Sequence, residues 1–253
     1  MKKMLFLTAG VAALGVAPAS AADLAARSYT KAPAYVTPLP SWAGFYIGLN
    51  GGADWSRNCW TLNSVAGVPL AATQSEGCHN ATSGLVGGQV GYRWQAANWV
   101  FGVEAQGDWT DLKASNASTA ASAVGITNQT KTDAIGLFTV QGGYAWDNVL
   151  WYVKGGAAVT HNKYRGLATL TGAELDSASE SRWGGTVGTG VEYAFAPNWS
   201  VAVEYDHLFM GSRDINFPAT AFANARTDTI KQSVDLATVR VNYRFGGAAL
   251  TRY

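Results

Sequence analysis

The stretch WVFGVEAQGDWT, residues 99–110, decides the fold. Trp99, Phe101, Val103, Ala105, Gly107 and Trp109 fall on one parity, and Val100, Gly102, Glu104, Gln106, Asp108 and Thr110 on the other. Successive side chains of a strand point to opposite faces, so a period of two makes one greasy face and one mostly polar face. A water-soluble barrel turns the greasy face inward. Here that face begins and ends in tryptophan, and the pattern returns about eight times along the chain, as it does in transmembrane strands flanked by aromatic girdles.

Working outward, strands are expected at 44–56, 83–94, 99–111, 133–146, 149–162, 182–195, 199–210 and 233–245. Short Asn-, Asp- and Pro-containing turns at 95–98, 147–148 and 196–198 separate some of them. Longer segments rich in Ala, Ser, Thr, Asn and Gly, at 57–82, 112–132, 163–181 and 211–232, separate the others and read as loops. An even number of strands with alternating short and long connections predicts an all-β, eight-stranded antiparallel up-and-down transmembrane β-barrel. Short turns normally face the periplasm, so both termini are expected there, in the outer membrane of a Gram-negative cell. Trp94, Trp99, Trp146, Trp151 and Trp199 flank the short turns and form the expected periplasmic girdle. Trp55, Trp109 and Trp183, with Phe209, form the outer one.

The first residues read as a signal peptide, 1–22. Lys2 and Lys3 precede an apolar run that ends at Pro18, and Ala19-Ser20-Ala21 is a small-residue cleavage site. Residues 23–43, with Pro33, Pro38 and Pro40, read as an extended periplasmic leader, and 44–253 as the barrel. The chain carries 18 basic and 17 acidic residues, a formal net charge of +1. Removing the signal tips the balance to about −1, which speaks against a nucleic-acid binder needing a basic stripe. The two cysteines, Cys59 and Cys78, share one exported segment and are expected to form a disulfide that stabilises it by about 3 kcal/mol. A metal site with His79 as a third ligand lacks the usual zinc spacing.

Inward parity collects the charges. Glu104, Lys154, Glu204 and Arg240 each lie five residues from the periplasmic end of their strand, about 12 Å up and near mid-membrane. Arg93, Arg244 and Glu192 sit lower, and Asp108, Asp206 and Arg182 nearer the loops. An eight-stranded barrel is just wide enough for side chains to fill, so these charges are expected to pair into a buried network. The alternative is a selective pore lining. No catalytic, cofactor or metal set emerges. Asp206 and His207 have opposite parity and face apart, and Gly184–Gly190 opens no helix, so it is no nucleotide motif.

Five segments carry a family resemblance: WAGFYIGLNGG (residues 42–52), GGQVGYRWQ (87–95), WYVKGGAAV (151–159), GGTVGTGVEYAF (184–195) and VNYRFGG (241–247). Together they resemble the small outer-membrane immunogenic proteins of alphaproteobacteria, within the wider OmpA-like eight-stranded barrels. The resemblance implies a surface-exposed protein with structural and interaction roles, bound by outer-membrane lipid and lipopolysaccharide and folded by the barrel-assembly machinery. It also implies host or surface ligands at the loops, or haem-type binding, for which no specific residue set stands out. A small porin is the rival reading. The last strand ends near Phe245, while the chain runs on to a second terminal aromatic, Tyr253.

Overall fold

The computed structural model describes residues 41–221 and 223–246. The signal peptide, most of the leader and Tyr253 lie outside these residues. Eight strands form one closed barrel in chain order: β1 (Gly44–Val65), β2 (Val68–Ala96), β3 (Trp99–Ala117), β4 (Ile126–Trp146), β5 (Val149–Ala168), β6 (Glu174–Ala196), β7 (Trp199–Phe217) and β8 (Arg226–Phe245). Every neighbouring pair is antiparallel, and β8 closes on β1 from Phe45 opposite Phe245 to Val65 opposite Arg226. Three two-residue turns join β2–β3, β4–β5 and β6–β7. Ala97 and Asp147 open two of them with φ of 53° and 47°, the left-handed backbone that tight hairpins demand.

The strands are longer than the sequence suggests. They run 19 to 29 residues, whereas crossing the membrane takes about 9–11. The segments read as loops are largely strand, and the connections shrink to 66–67, 118–125, 169–173 and 218–225. The walls therefore continue well past the outer tryptophans. They do not continue as one ring. The β2–β3 ladder stops at Leu85 opposite Thr110, and the β6–β7 ladder at Gly185 opposite Phe209. Beyond those points one sheet holds β7-β8-β1-β2 and the other β3-β4-β5-β6, face to face.

The outward parity holds throughout the spanning part. Phe45, Val90, Phe101, Val103, Val140, Trp151, Val191 and Val239 are all exposed on the outer wall. Trp94, Trp99, Trp146, Trp151 and Trp199 are exposed beside the short turns, and Trp55, Trp109, Trp183 and Phe209 at the far rim. An arginine at Val103, halfway between these rings, is expected to cost about 2–4 kcal/mol, and one at Trp109 about 0–1. Reversible urea unfolding of the two variants in lipid vesicles checks this. Equal losses would mean that the wall assignment is wrong.

Candidate functional site: the barrel interior

The interior is stacked in layers. Nearest the short turns, Trp42 is fully buried against Val100, Ala145, Leu150, Tyr152 and Ala194. Its backbone N–H donates to Gln95 Oε1 at 2.7 Å. Trp42, within the 23–43 segment read as leader, thus fills an apolar pocket at the mouth of the barrel.

Above it lies the charge network. Lys154 Nζ is 2.6 Å from Glu204 Oε1, 3.5 Å from Glu104 Oε1 and 3.3 Å from Asp206 Oδ2. Arg240 bridges the same two glutamates, at 2.7 Å to Glu104 Oε2 and in close contact with Glu204 Oε2. Two tyrosines complete it: Tyr46 donates to Glu104 at 2.7 Å and Tyr152 to Glu204 at 2.6 Å. Below, Arg93 pairs with Glu192 at 2.8 Å and stacks 4.4 Å from the Tyr46 ring centroid. These charged side chains are at most 5% exposed, where each charge needs both an ion partner and hydrogen bonds.

Six of the seven charges read from the sequence meet in this way. Arg244 does not. It donates to the Pro197 carbonyl at 2.9 Å and lies 5.6 Å from the Trp42 ring centroid, serving the mouth of the barrel. Asp206, placed nearer the loops by strand counting, sits on Lys154 instead, since it is the next inward position after Glu204. Tyr46 and Tyr152 were absent from the expected set, although both carry inward parity.

Over the charges comes an apolar layer built from Leu85, Leu112, Ile135, Leu137, Leu208, Met210, Val234 and Leu236. Thr132, Asn162 and Gln232 then hydrogen-bond across the bore. Next, between the two extended sheets, Trp60 meets Tyr164 edge-on and stacks on Phe217, each at 5.7 Å between centroids. Near the tips, Arg226 of β8 binds Asp176 of β6 through two nitrogens, at 2.9 and 3.1 Å, and contacts Glu76 and Asp228. Burial pushes the Asp228 carboxyl up to about 8, with Glu76 and Asp176 adding to the rise against the pull of Arg226. The rise favours the protonated carboxyl, which trims the excess negative charge around one arginine.

Cys59 and Cys78 are joined, opposite each other on β1 and β2 with Cα atoms 4.1 Å apart. The bond reinforces an existing ladder rather than closing a loop. Asp206 and His207 face apart, as their parity predicts. His207 Nδ1 is 2.6 Å from Asp235 Oδ1 on the outer wall, and Tyr205 donates to the same oxygen at 2.6 Å. Among the described residues no group of three or more His, Cys, Asp or Glu is arranged to hold a metal ion.

A profile of the outer membrane protein β-barrel domain matches residues 9–245. The 31 kDa outer-membrane immunogenic protein of Brucella melitensis is 30% identical over 252 residues, 94% of this chain and 98% of that one. The 25 kDa outer-membrane immunogenic protein of Brucella abortus is 24% identical over 97% of this chain and 99% of its own length. Among solved structures, OprG of Pseudomonas aeruginosa aligns at 12% identity and a TM-score of 0.46, over 81% of this chain and 98% of that one. Ail of Yersinia pestis aligns at 14% and 0.40, over 80% and 99%.

Proposed function

The chain belongs to the outer membrane protein β-barrel family, and from that premise we propose that it is a closed, non-enzymatic barrel that stabilises the envelope and carries an extended sheet sandwich outside the cell. In this reading both termini are periplasmic, with the short turns on their side and the four long hairpins outside. The layering carries the reading. The salt-bridged layer could in principle line a water-filled pore, and the apolar cluster directly above it is what favours a closed interior. Ten buried side chains from six of the strands, Leu137, Leu208, Val234 and Leu236 among them with no exposure, pack as one cluster over the charges, beside the buried Asp54 of β1 and Asp108 of β3. An aqueous path would have to open that layer and hydrate apolar surface at about 25 cal/mol per Å².

Partners follow from position: lipid and lipopolysaccharide around the wall, the assembly machinery during insertion, and host or surface ligands at the hairpin tips. The Brucella relatives bear the name immunogenic, and here the sandwich beyond the outer tryptophans would be the part shown to an immune system.

Single-channel recording of the pure protein in a planar bilayer tests the reading. The expected trace is flat, without a stable open level. A reproducible open conductance would overturn the closed barrel and establish the small porin instead.

A further inference from the structure

We propose that Lys113, Lys131 and Lys163, on the outer wall just beyond the membrane, form a binding site for the phosphate groups of the outer leaflet's glycolipid. Lys113 lies directly opposite Lys131 in the β3–β4 register, and Lys131 directly opposite Lys163 in the β4–β5 register. All three hold outward positions, alternating with the buried Leu112, Thr132 and Asn162. Three cations thus stand in one row on three adjacent strands. Directly opposed side chains in a sheet are about 5 Å apart at Cβ, and like charges there are destabilising. Barrel closure does not ask for such a row: the next outward row along the same strands holds Ser115 and Gln129 opposite Arg165. An anion shared among the ammonium groups removes the repulsion.

The row is only partly neutralised. Asp111 is 2.7 Å from Lys131 and Asp133 is 2.6 Å from Lys163, with the two lysine side chains 37% and 44% exposed. Each ammonium has three donors, so both keep some for a ligand. Lys113 is exposed and faces Asp111 only as a weaker, secondary partner behind Lys131. Three cations against two carboxylates leave an excess positive charge on this flank.

Depth selects the occupant. Lys131 lies three residues beyond Ala134, the partner of Trp109, so with the β3 bulge between Trp109 and Leu112 the row stands about 8 Å farther from the membrane centre at the tilt of such strands. Interfacial tryptophans sit at headgroup level, and a lysine stem can bend several Å towards the phosphates. The row also faces sideways from the wall, with the hairpin tips at 118–125 and 169–173 still above it. That aspect suits a lipid packed beside the barrel better than a soluble polyanion arriving from above.

The proposal rests on the orientation proposed above, and its test separates the two. The protein is placed in phosphatidylcholine nanodiscs with either bisphosphorylated lipid A or the same lipid stripped of phosphate, and retained lipid is counted by native mass spectrometry. The wild type is expected to retain the phosphorylated form preferentially. K113Q/K131Q/K163Q should bind it about tenfold more weakly or worse, while the three Lys→Arg substitutions should keep it. Lys113→Gln, which leaves the Lys131–Asp111 and Lys163–Asp133 pairs in place, should weaken retention by itself and covers the case in which the triple variant fails to fold. Equal retention by the folded Gln variants, no phosphate preference in the wild type, or displacement of lipid A by soluble heparin would overturn the site. Orientation is read independently, by labelling a cysteine placed at Thr171 on intact cells. A labelled Thr171→Cys with no phosphate preference removes this proposal and leaves the topology standing.

Discussion

Lys154→Met is expected to destabilise the barrel by about 3–5 kcal/mol, the cost of removing one partner from a buried ion network. Lys154 contacts Glu204, Glu104 and Asp206 at once. Without it, Glu104 and Glu204 keep only the guanidinium of Arg240, and Asp206 loses the one ion pair it makes among the described residues. Adding Glu204→Gln removes one of those charges and should recover part of the loss. The recovery is incomplete, because Glu204 also accepts from Tyr152 and binds Arg240. The two variants and their double, unfolded reversibly by urea in lipid vesicles, should show a coupling of about 1–3 kcal/mol. Solvated pore charges would behave otherwise. Near-zero losses with shifted ion selectivity would refute both the network and the closed barrel.

What the sequence made legible is what two solvents enforce. Between the tryptophan rings one face meets lipid and the other meets packed charge, so Phe101 and Glu104 cannot exchange parity. Period two then puts Glu104, Lys154, Glu204 and Arg240 on the inner face, and their equal count of five residues from the strand ends puts them at one depth. Beyond the outer ring both faces meet water or a mixed interior, and the contrast fades. Asn58, Trp60 and Leu62 continue the inward parity of Tyr46, Asn50 and Asp54, but their outward neighbours are Arg57, Cys59 and Thr61, and Ala/Ser/Thr-rich composition mimics a loop. The discordant signal was Trp60, a large aromatic in a supposed surface loop at an inward position. Strand counting fails differently for Arg244. Its depth is right, yet Trp42 precedes the first strand, and no periodicity announces that it fills the mouth.

Trp60→Ala is expected to open the extracellular sandwich while leaving the membrane barrel folded. Trp60 is fully buried, and its indole N–H donates to Thr130 on the opposite sheet at 3.3 Å. It touches Tyr164 across the sandwich and Phe217 beside it, with the Arg226 guanidinium 5.8 Å from its ring centroid. Truncating a buried tryptophan costs about 3–5 kcal/mol. The loss should fall between the sheets, because the ladder and the Cys59–Cys78 bond still hold β1 to β2. The strands between the tryptophan rings share none of these contacts and are expected to unfold as a separate unit. Hydrogen exchange in vesicles should therefore accelerate by about 10²–10³-fold at residues 57–82, 126–132 and 226–231, with no change from 99 to 107. Trp60→Phe keeps the ring contacts but loses the bond to Thr130, so it should fall between. Uniform acceleration along every strand would mean that sandwich and barrel unfold as one, and the division at the β2–β3 and β6–β7 seams would carry no energetic meaning.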